Sequence, residues 1–249
     1  MKINTPKAFV ALPDGVLLDT DNTLYEYGPC HEAAQAAVRT KVVTTLAISE
    51  TDFDRAFDQS RTDVKDRLGV TASSHSRLLY MQRVLETLGL GSQVLLALDF
   101  EQTYWRTFLA TARLFPGVIE LLDDLRLRGI PTAIVTDLTA QIQFRKVVYF
   151  GLDNFIDFIV TSEEAGADKP HPDPFRLALS KLRPSGQTVW MIGDDPRTDI
   201  QGARESIGAV TLQKLHRGVR AGVGDSLPDA TFSDYSEIRG LLRRLARDS

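Results

Sequence analysis

Val16-Leu17-Leu18-Asp19-Thr20-Asp21-Asn22-Thr23-Leu24 is an apolar run that stops in two acids separated by one residue. The apolar part reads as a buried strand. Open α/β sheets bind their ligands at the carboxyl ends of the strands, where these acids fall. Two carboxylates held close repel unless a cation or a shared proton lies between them. The stretch therefore predicts an α/β sheet with a metal site, an acid pair, or both, at the end of this strand.

Further along the chain the same pattern recurs. Ile130–Thr136, Phe155–Val160, Val189–Gly193 and Ala209–Leu212 read as strands, alternating with helical segments at Val118–Arg128, Phe175–Leu182 and Ile200–Ser206, and with another helix that ends near Gly151. Strand–helix alternation implies a parallel sheet covered on both faces. Between the first strand and this region, Pro29 to about Thr111 shows only helical periodicity. Ser49-Glu50-Thr51-Asp52 resembles a capping box, and Leu78, Leu79, Met81, Val84, Leu85 and Leu88 form an apolar stripe closed by Gly89. Four helices are expected there. The predicted organisation is a core of residues 1–28 and 112–249 with a helical domain, residues 29–111, inserted into it. The basic amphipathic end, Arg239–Arg247, reads as a C-terminal helix with a solvated face.

Composition narrows the function classes. The chain has 249 residues, 43% hydrophobic and 25% charged, which is ordinary for a globular protein. A net charge of −4 gives no global pull toward nucleic acid or an anionic membrane. The single cysteine, Cys30, forms no internal disulfide, which suits a reducing cytoplasm. No signal peptide and no apolar run of the roughly 20 residues that span a bilayer is visible.

Three more strand ends carry polar residues: Thr136-Asp137, the loop Asp168-Lys169-Pro170, and Gly193-Asp194-Asp195-Pro196-Arg197-Thr198-Asp199. In a parallel sheet these ends share one edge, so Asp19, Asp21, Thr136, Lys169, Asp194 and Asp199 are expected in one pocket. That set has a chemical logic. A carboxylate can attack phosphorus, yet carboxylate and phosphate repel by about 4 kcal/mol at 4 Å and an effective dielectric of 20. A hard cation removes the obstacle; Mg2+ takes oxygen ligands from a few carboxylates plus phosphate, and Asp19 and Asp194 supply them. Lys169 and Thr136 suit phosphate oxygens. Asp21 can pass a proton to a leaving alcohol and later take one from water, help worth roughly 10² to 10⁴ in rate.

This ordered set, Asp-Thr-Asp-Asn-Thr, then Thr136, then Lys169-Pro170, then Gly193-Asp194 with Asp199, resembles the four motifs of the haloacid dehalogenase superfamily over nearly the whole chain. The resemblance implies a Rossmann-like core with a C1-type helical cap that closes over substrate, and a Mg2+-dependent phosphatase acting on a small phosphate monoester through an aspartyl-phosphate. It implies Asp19 as nucleophile and Asp21 as general acid/base. Mg2+ would be held by Asp19, the Asp21 backbone carbonyl and Asp194, with Asp199 supporting its water shell. Thr136 and Lys169 would bind the phosphoryl group. Asp137 stands where Asn is common and is read as lending a backbone N–H while its charge points away. Asn22 stands where Gly is common, and Asn tolerates a positive φ. Dehalogenase members lack an acid at the position of Asp21, which favours phosphate chemistry here. In this family the loop holding His75 and Arg77 faces the core site, so either is a candidate reader of the leaving group, beside the plainer reading of this segment as a solvated helix start.

Other readings are carried beside this one. A phosphoglucomutase-like phosphotransferase shares all the core residues. A phospho-acceptor switch also groups Asp, Thr and Lys at a sheet edge, but has neither the Asp-x-Asp pair nor a large insertion. A non-catalytic scaffold would be expected to lack some motif. Asp14-Gly15 is a turn, Asp195 a less favoured ligand than Asp194, and His31, His75, His171 and His216 show no metal-binding spacing. Tyr25 and Tyr27 read equally as packing residues or substrate walls.

Overall fold

The strand that carries Asp19 ends up in the middle of a seven-stranded sheet. In a computed structural model describing residues 1–248, the chain forms two compact units, Tyr27–Ala112 and the remainder on either side of it. The inserted unit holds α1 (Tyr27–Leu46), α2 (Glu50–Leu68), α3 (Arg77–Thr87) and α4 (Val94–Thr111). The other holds strands β1 (Lys2–Ile3), β2 (Gly15–Leu18), β3 (Thr132–Thr136), β4 (Phe158–Thr161), β5 (Val189–Gly193), β6 (Val210–Lys214) and β7 (Ala230–Phe232). Its helices are α5 (Val118–Leu127), α6 (Ala140–Phe150), α7 (Ser162–Ala165), α8 (Pro172–Leu182), α9 (Gly202–Ile207) and α10 (Tyr235–Asp248).

The sheet order is β1-β7-β6-β5-β2-β3-β4, parallel throughout except for β1 against β7. β2 lies between β5 and β3, with Leu18 in register with both Ile192 and Ile134. Chain order reverses there, and such a switch point leaves a crevice at the strands' carboxyl ends. Residues of β2, β3 and β5 are buried on both faces, as a parallel sheet covered by helices requires. On one face Leu17, Val135 and Met191 pack in one core with Phe175 and Ala178 of α8 and Ala203 of α9. The sequence reading places five of the seven strands; β1 and β7, two and three residues long, are additions. The basic C-terminal segment does form a helix, α10, and Arg239 pairs with Asp124 of α5 at 2.7 Å.

In the helical unit half of the capping box before α2 forms: Ser49 Oγ accepts from Asp52 N at 3.0 Å, but the Asp52 carboxylate accepts from the Ser49 hydroxyl at 2.7 Å instead of from its backbone N–H. The unit's interior is aromatic, with Phe53, Tyr80, Tyr104 and Phe108 almost fully buried. His31 sits among these rings. Its Nδ1 is 2.7 Å from the Tyr104 hydroxyl and its ring stacks on Tyr27 at 5.6 Å. Burial, and then the guanidinium charges of Arg77 and Arg61, push its pKa down from 6.5 to about 4. Between those two values the unfolded chain binds a proton that the folded chain refuses, so stability falls as pH is lowered through this window and is flat above it. The urea midpoint is expected to drop as the buffer goes from pH 6.5 to 4, and His31→Gln is expected to flatten part of that slope. An unchanged slope would show that His31 is not the titrating group.

Candidate active site

The first acid, Asp19, leaves the end of β2 with its amide donating to the Ile192 carbonyl of β5 at 2.9 Å. Its carboxylate is almost fully buried. One oxygen accepts from Lys169 Nζ at 2.7 Å and the other from Thr23 Oγ1 at 2.9 Å. Lys169, on the loop before α8, is itself buried and donates equally to Asp199 Oδ1 at 2.7 Å. The other Asp199 oxygen accepts from the backbone N–H groups of Asp194 and Asp195, each at 3.1 Å. Gly193 makes this closeness possible, since a Cβ there would lie 2.4 Å from Asp199 Cβ. Asp19, Asp194 and Asp199 thus present carboxylate oxygens within 4.8 Å of one another.

Three carboxylates around one ammonium carry a formal charge of −2. Burial lifts the Asp19 pKa to about 7 against the pull of Lys169, with the charges of Asp199 and Asp21 adding to the rise. Asp194 is pushed up to about 9 by burial and then by Asp19 and Asp199. Asp199 is raised by burial, which outweighs Lys169. Lys169 holds its proton more firmly than a free lysine: burial opposes this, but Asp19, Asp199 and Asp137 prevail. A divalent cation on these oxygens would balance the remaining charge, and an all-oxygen donor set suits Mg2+.

Asp21 stands apart from this cluster. Its carboxylate oxygens accept from Lys146 Nζ of α6 at 2.7 and 2.9 Å, and the Tyr25 hydroxyl donates to the first of them. Burial alone would raise its pKa, but Lys146 brings it below the ordinary value. The two acids of the opening stretch therefore answer to two different lysines. The turn between them and Thr23 has Asn22 at φ 62°, and the Thr23 carbonyl accepts from the buried Tyr235 hydroxyl of α10 at 2.5 Å.

Thr136 ends β3 with its hydroxyl 2.8 Å from that of Thr20. The Asp137 carboxylate is turned to scaffolding, accepting from Ser162 Oγ at 2.7 Å and from the Lys169 N–H at 2.9 Å. Leu138 follows at φ 87°, a conformation costing a non-glycine residue about 1–3 kcal/mol and found mostly where function imposes it. Asp195 caps the next helical turn through the N–H groups of Arg197 and Thr198.

His75 and Arg77 lie in the helical unit. Arg77 is not the solvated start of a helix. It is 9% exposed and donates to the Tyr27 hydroxyl and the His75 carbonyl, each at 2.6 Å. The faces of Tyr80, Tyr104 and Trp105 surround its guanidinium at 5.0–5.7 Å.

Sequence reasoning misses Lys146, Tyr235 and the pairing role of Tyr25. Tyr25 is fully buried, so it is no substrate wall. A signal for Lys146 does exist: it falls on the same helical face as buried Ile142 and Gln143, where a lysine needs a partner.

Residues 13–206 match the haloacid dehalogenase-like hydrolases. The chain is 36% identical over 198 residues, 79% of its length and 82% of the relative's, to a ribulose-1,5-bisphosphate 5-phosphatase from Halopiger xanaduensis. It is 27% identical over 235 residues, 94% of this chain and 99% of the relative, to a glyceraldehyde 3-phosphate phosphatase from Methanocaldococcus jannaschii. Among solved structures, a 2-haloacid dehalogenase from Pseudomonas syringae superposes with a TM-score of 0.76 at 23% identity, over 94% of this chain and 99% of the other. A phosphatase from Thermococcus onnurineus gives 0.69 at 24% identity, over 92% and 97%. At these identities the structural likeness speaks for the fold.

Proposed function

The chain belongs to the haloacid dehalogenase-like hydrolases, and from that premise we propose that it is a Mg2+-dependent phosphatase of a small phosphorylated sugar or related monoester. The observation that carries this reading is the division of labour between two acids two residues apart: Asp19 in a cluster short of positive charge, Asp21 outside it on its own lysine.

In the first step an Asp19 oxygen forms a bond to phosphorus while the bond from phosphorus to the leaving oxygen breaks. Asp21, ionised at rest beside Lys146, relays to the leaving oxygen the proton that a phosphate monoanion brings with it. In the second step water attacks the phosphorus of the Asp19 acyl phosphate, its proton passes to Asp21, and inorganic phosphate leaves with the Asp19 carboxylate restored. Lys169 and Thr136 neutralise and orient the phosphoryl oxygens, together with the backbone N–H of Asp137. Asp19, Asp194 and the Asp21 backbone carbonyl would hold Mg2+, supported by Asp199, and the ion would supply charge neutralisation for the approach of two anions. An acid at Asp21 favours ester chemistry, because a halide leaving group needs no proton. Of the two candidates His75 is proposed to read the leaving group; the buried Arg77 guanidinium is committed to Tyr27 and the rings of Tyr80, Tyr104 and Trp105. Among the described residues no helix is long and apolar enough to cross a membrane.

The relatives' names choose the first substrates. Phosphate release is expected from at least one of ribulose 1,5-bisphosphate, glyceraldehyde 3-phosphate and phosphoglycolate in Mg2+, and at least about 10²-fold less after chelation. Release undiminished by chelator would remove the metal from the proposal, and no release from any phosphate ester would remove the activity.

A further inference from the structure

Lys146 is buried to 2% exposure of its side chain, and the ammonium meets both oxygens of Asp21. The Tyr25 hydroxyl and, at 3.3 Å, the Thr20 hydroxyl donate to the same carboxylate. Tyr25 also packs its ring on Phe150 of α6, centroids 5.0 Å apart, and lies 5.7 Å below the Lys146 ammonium. A buried ion pair contributes little net stability compared with well-packed apolar residues of similar volume. A carboxylate gripped through both oxygens and a third donor does lose its freedom to rotate. Without that grip Asp21 could turn about its two side-chain bonds, including toward Lys169 and the acid cluster that begins at Asp19, two residues back.

We propose that Lys146, seconded by Tyr25, is the positioning residue for Asp21: it holds the proton-transferring carboxylate in one orientation and keeps it from joining the acids that surround Lys169. This rests on the phosphatase reading, in which Asp21 moves the proton. It assigns to α6 a share in the reaction that none of the four strand-end motifs contains. Lys146 itself touches neither substrate nor phosphoryl group and acts only through Asp21.

A leaving-group comparison tests it. Dinitrophenyl phosphate departs as a stable anion and needs no proton, whereas an alkyl phosphate needs one. Lys146→Met is expected to lower kcat/KM on the alkyl ester by about 10²-fold, the scale of a mispositioned catalytic group. On dinitrophenyl phosphate it should change kcat/KM by less than about 5-fold, because this ratio reports only the steps through departure of the leaving group, where acid help is not called on. Lys146→Arg, which keeps the charge, is expected to fall between wild type and Lys146→Met, and it carries the comparison if Lys146→Met does not fold. In an Asp21→Asn background, adding Lys146→Met should cost nothing further on the alkyl ester; this double variant has no unpaired charge at the site. Equal losses on both esters, or the full loss repeated in the Asp21→Asn background, would overturn the positioning role while leaving Asp21 as the acid. Equal losses on both esters from Asp21→Asn alone would instead overturn the acid–base role of Asp21, and the proposal with it.

Discussion

Asp19→Asn is expected to abolish turnover, by roughly 10⁴-fold or more, the scale at which an enzyme loses its nucleophile, and to leave the protein no less stable. The amide has the shape of the carboxylate; its oxygen can still accept from Lys169 and its nitrogen can donate to the Thr23 hydroxyl, but it is a poor nucleophile toward phosphorus. The stability half of the prediction follows from the crowding of charge. The Asp19 pKa stands at about 7, lifted from 3.8 by burial, against Lys169, and further by Asp199 and Asp21. A group whose pKa is higher in the folded state binds more protons there, so the fold loses stability as pH rises from the unfolded value to the folded one. Asn at this position carries no such burden. In chelator the variant should therefore gain on the parent as pH rises toward 8, and the gain should shrink as pH falls toward 4. Urea titrations at three pH values, run beside a phosphate-release assay, check both halves. Turnover near that of the parent would remove Asp19 as nucleophile.

Lys169→Met should lose stability as well as activity. The ammonium is the positive charge shared by Asp19 and Asp199, each at 2.7 Å and both buried. Removing one partner of a buried ionic group leaves charges in low dielectric without compensation, which costs about 3–5 kcal/mol. Loss of a positive group at the phosphoryl oxygens should lower kcat by roughly 10²–10³-fold. The two variants interact: adding Asp19→Asn to Lys169→Met removes one stranded carboxylate and should return part of the lost stability, though no activity. A Lys169→Met protein with the parent's urea midpoint would show that this lysine is not the counter-charge of the cluster.

These two residues are legible in the sequence because each follows directly from a strand end or a short loop, where periodicity fixes position to within a residue or two. Asp194 and Asp199 are legible for the same reason. Lys146 and Tyr235 are far less so, because they lie on helices away from any strand end and only the completed packing of α6 and α10 brings them to Asp21 and Thr23; the buried face of α6 is the one signal for Lys146. Asp137 shows a different limit. Its place after β3 can be read, but its carboxylate is committed to Ser162 and to the Lys169 N–H, a pairing decided by the loop before α8. Arg77 shows a third: a charged residue at a helix start reads as solvated until the surrounding tyrosines and tryptophan are placed. β1 and β7 are too short for alternation to register, and they owe their existence to pairing with each other and, for β7, with β6.

The position of β2 between β3 and β5 also sets an order of events on the ribosome. The helical unit is complete once Ala112 has been made, and its aromatic interior can close while the rest of the chain is still being synthesised. β2 was made before it, yet its two neighbours arrive only with residues 132–136 and 189–193. Until residue 193 is made, the strand bearing Asp19 is thus an apolar segment with at least one unpaired edge, followed by a helical unit whose residues are all in place. Such a segment is a natural client for a holding chaperone, and a pause in synthesis before residue 189 would prolong its exposure more than a pause anywhere after residue 193.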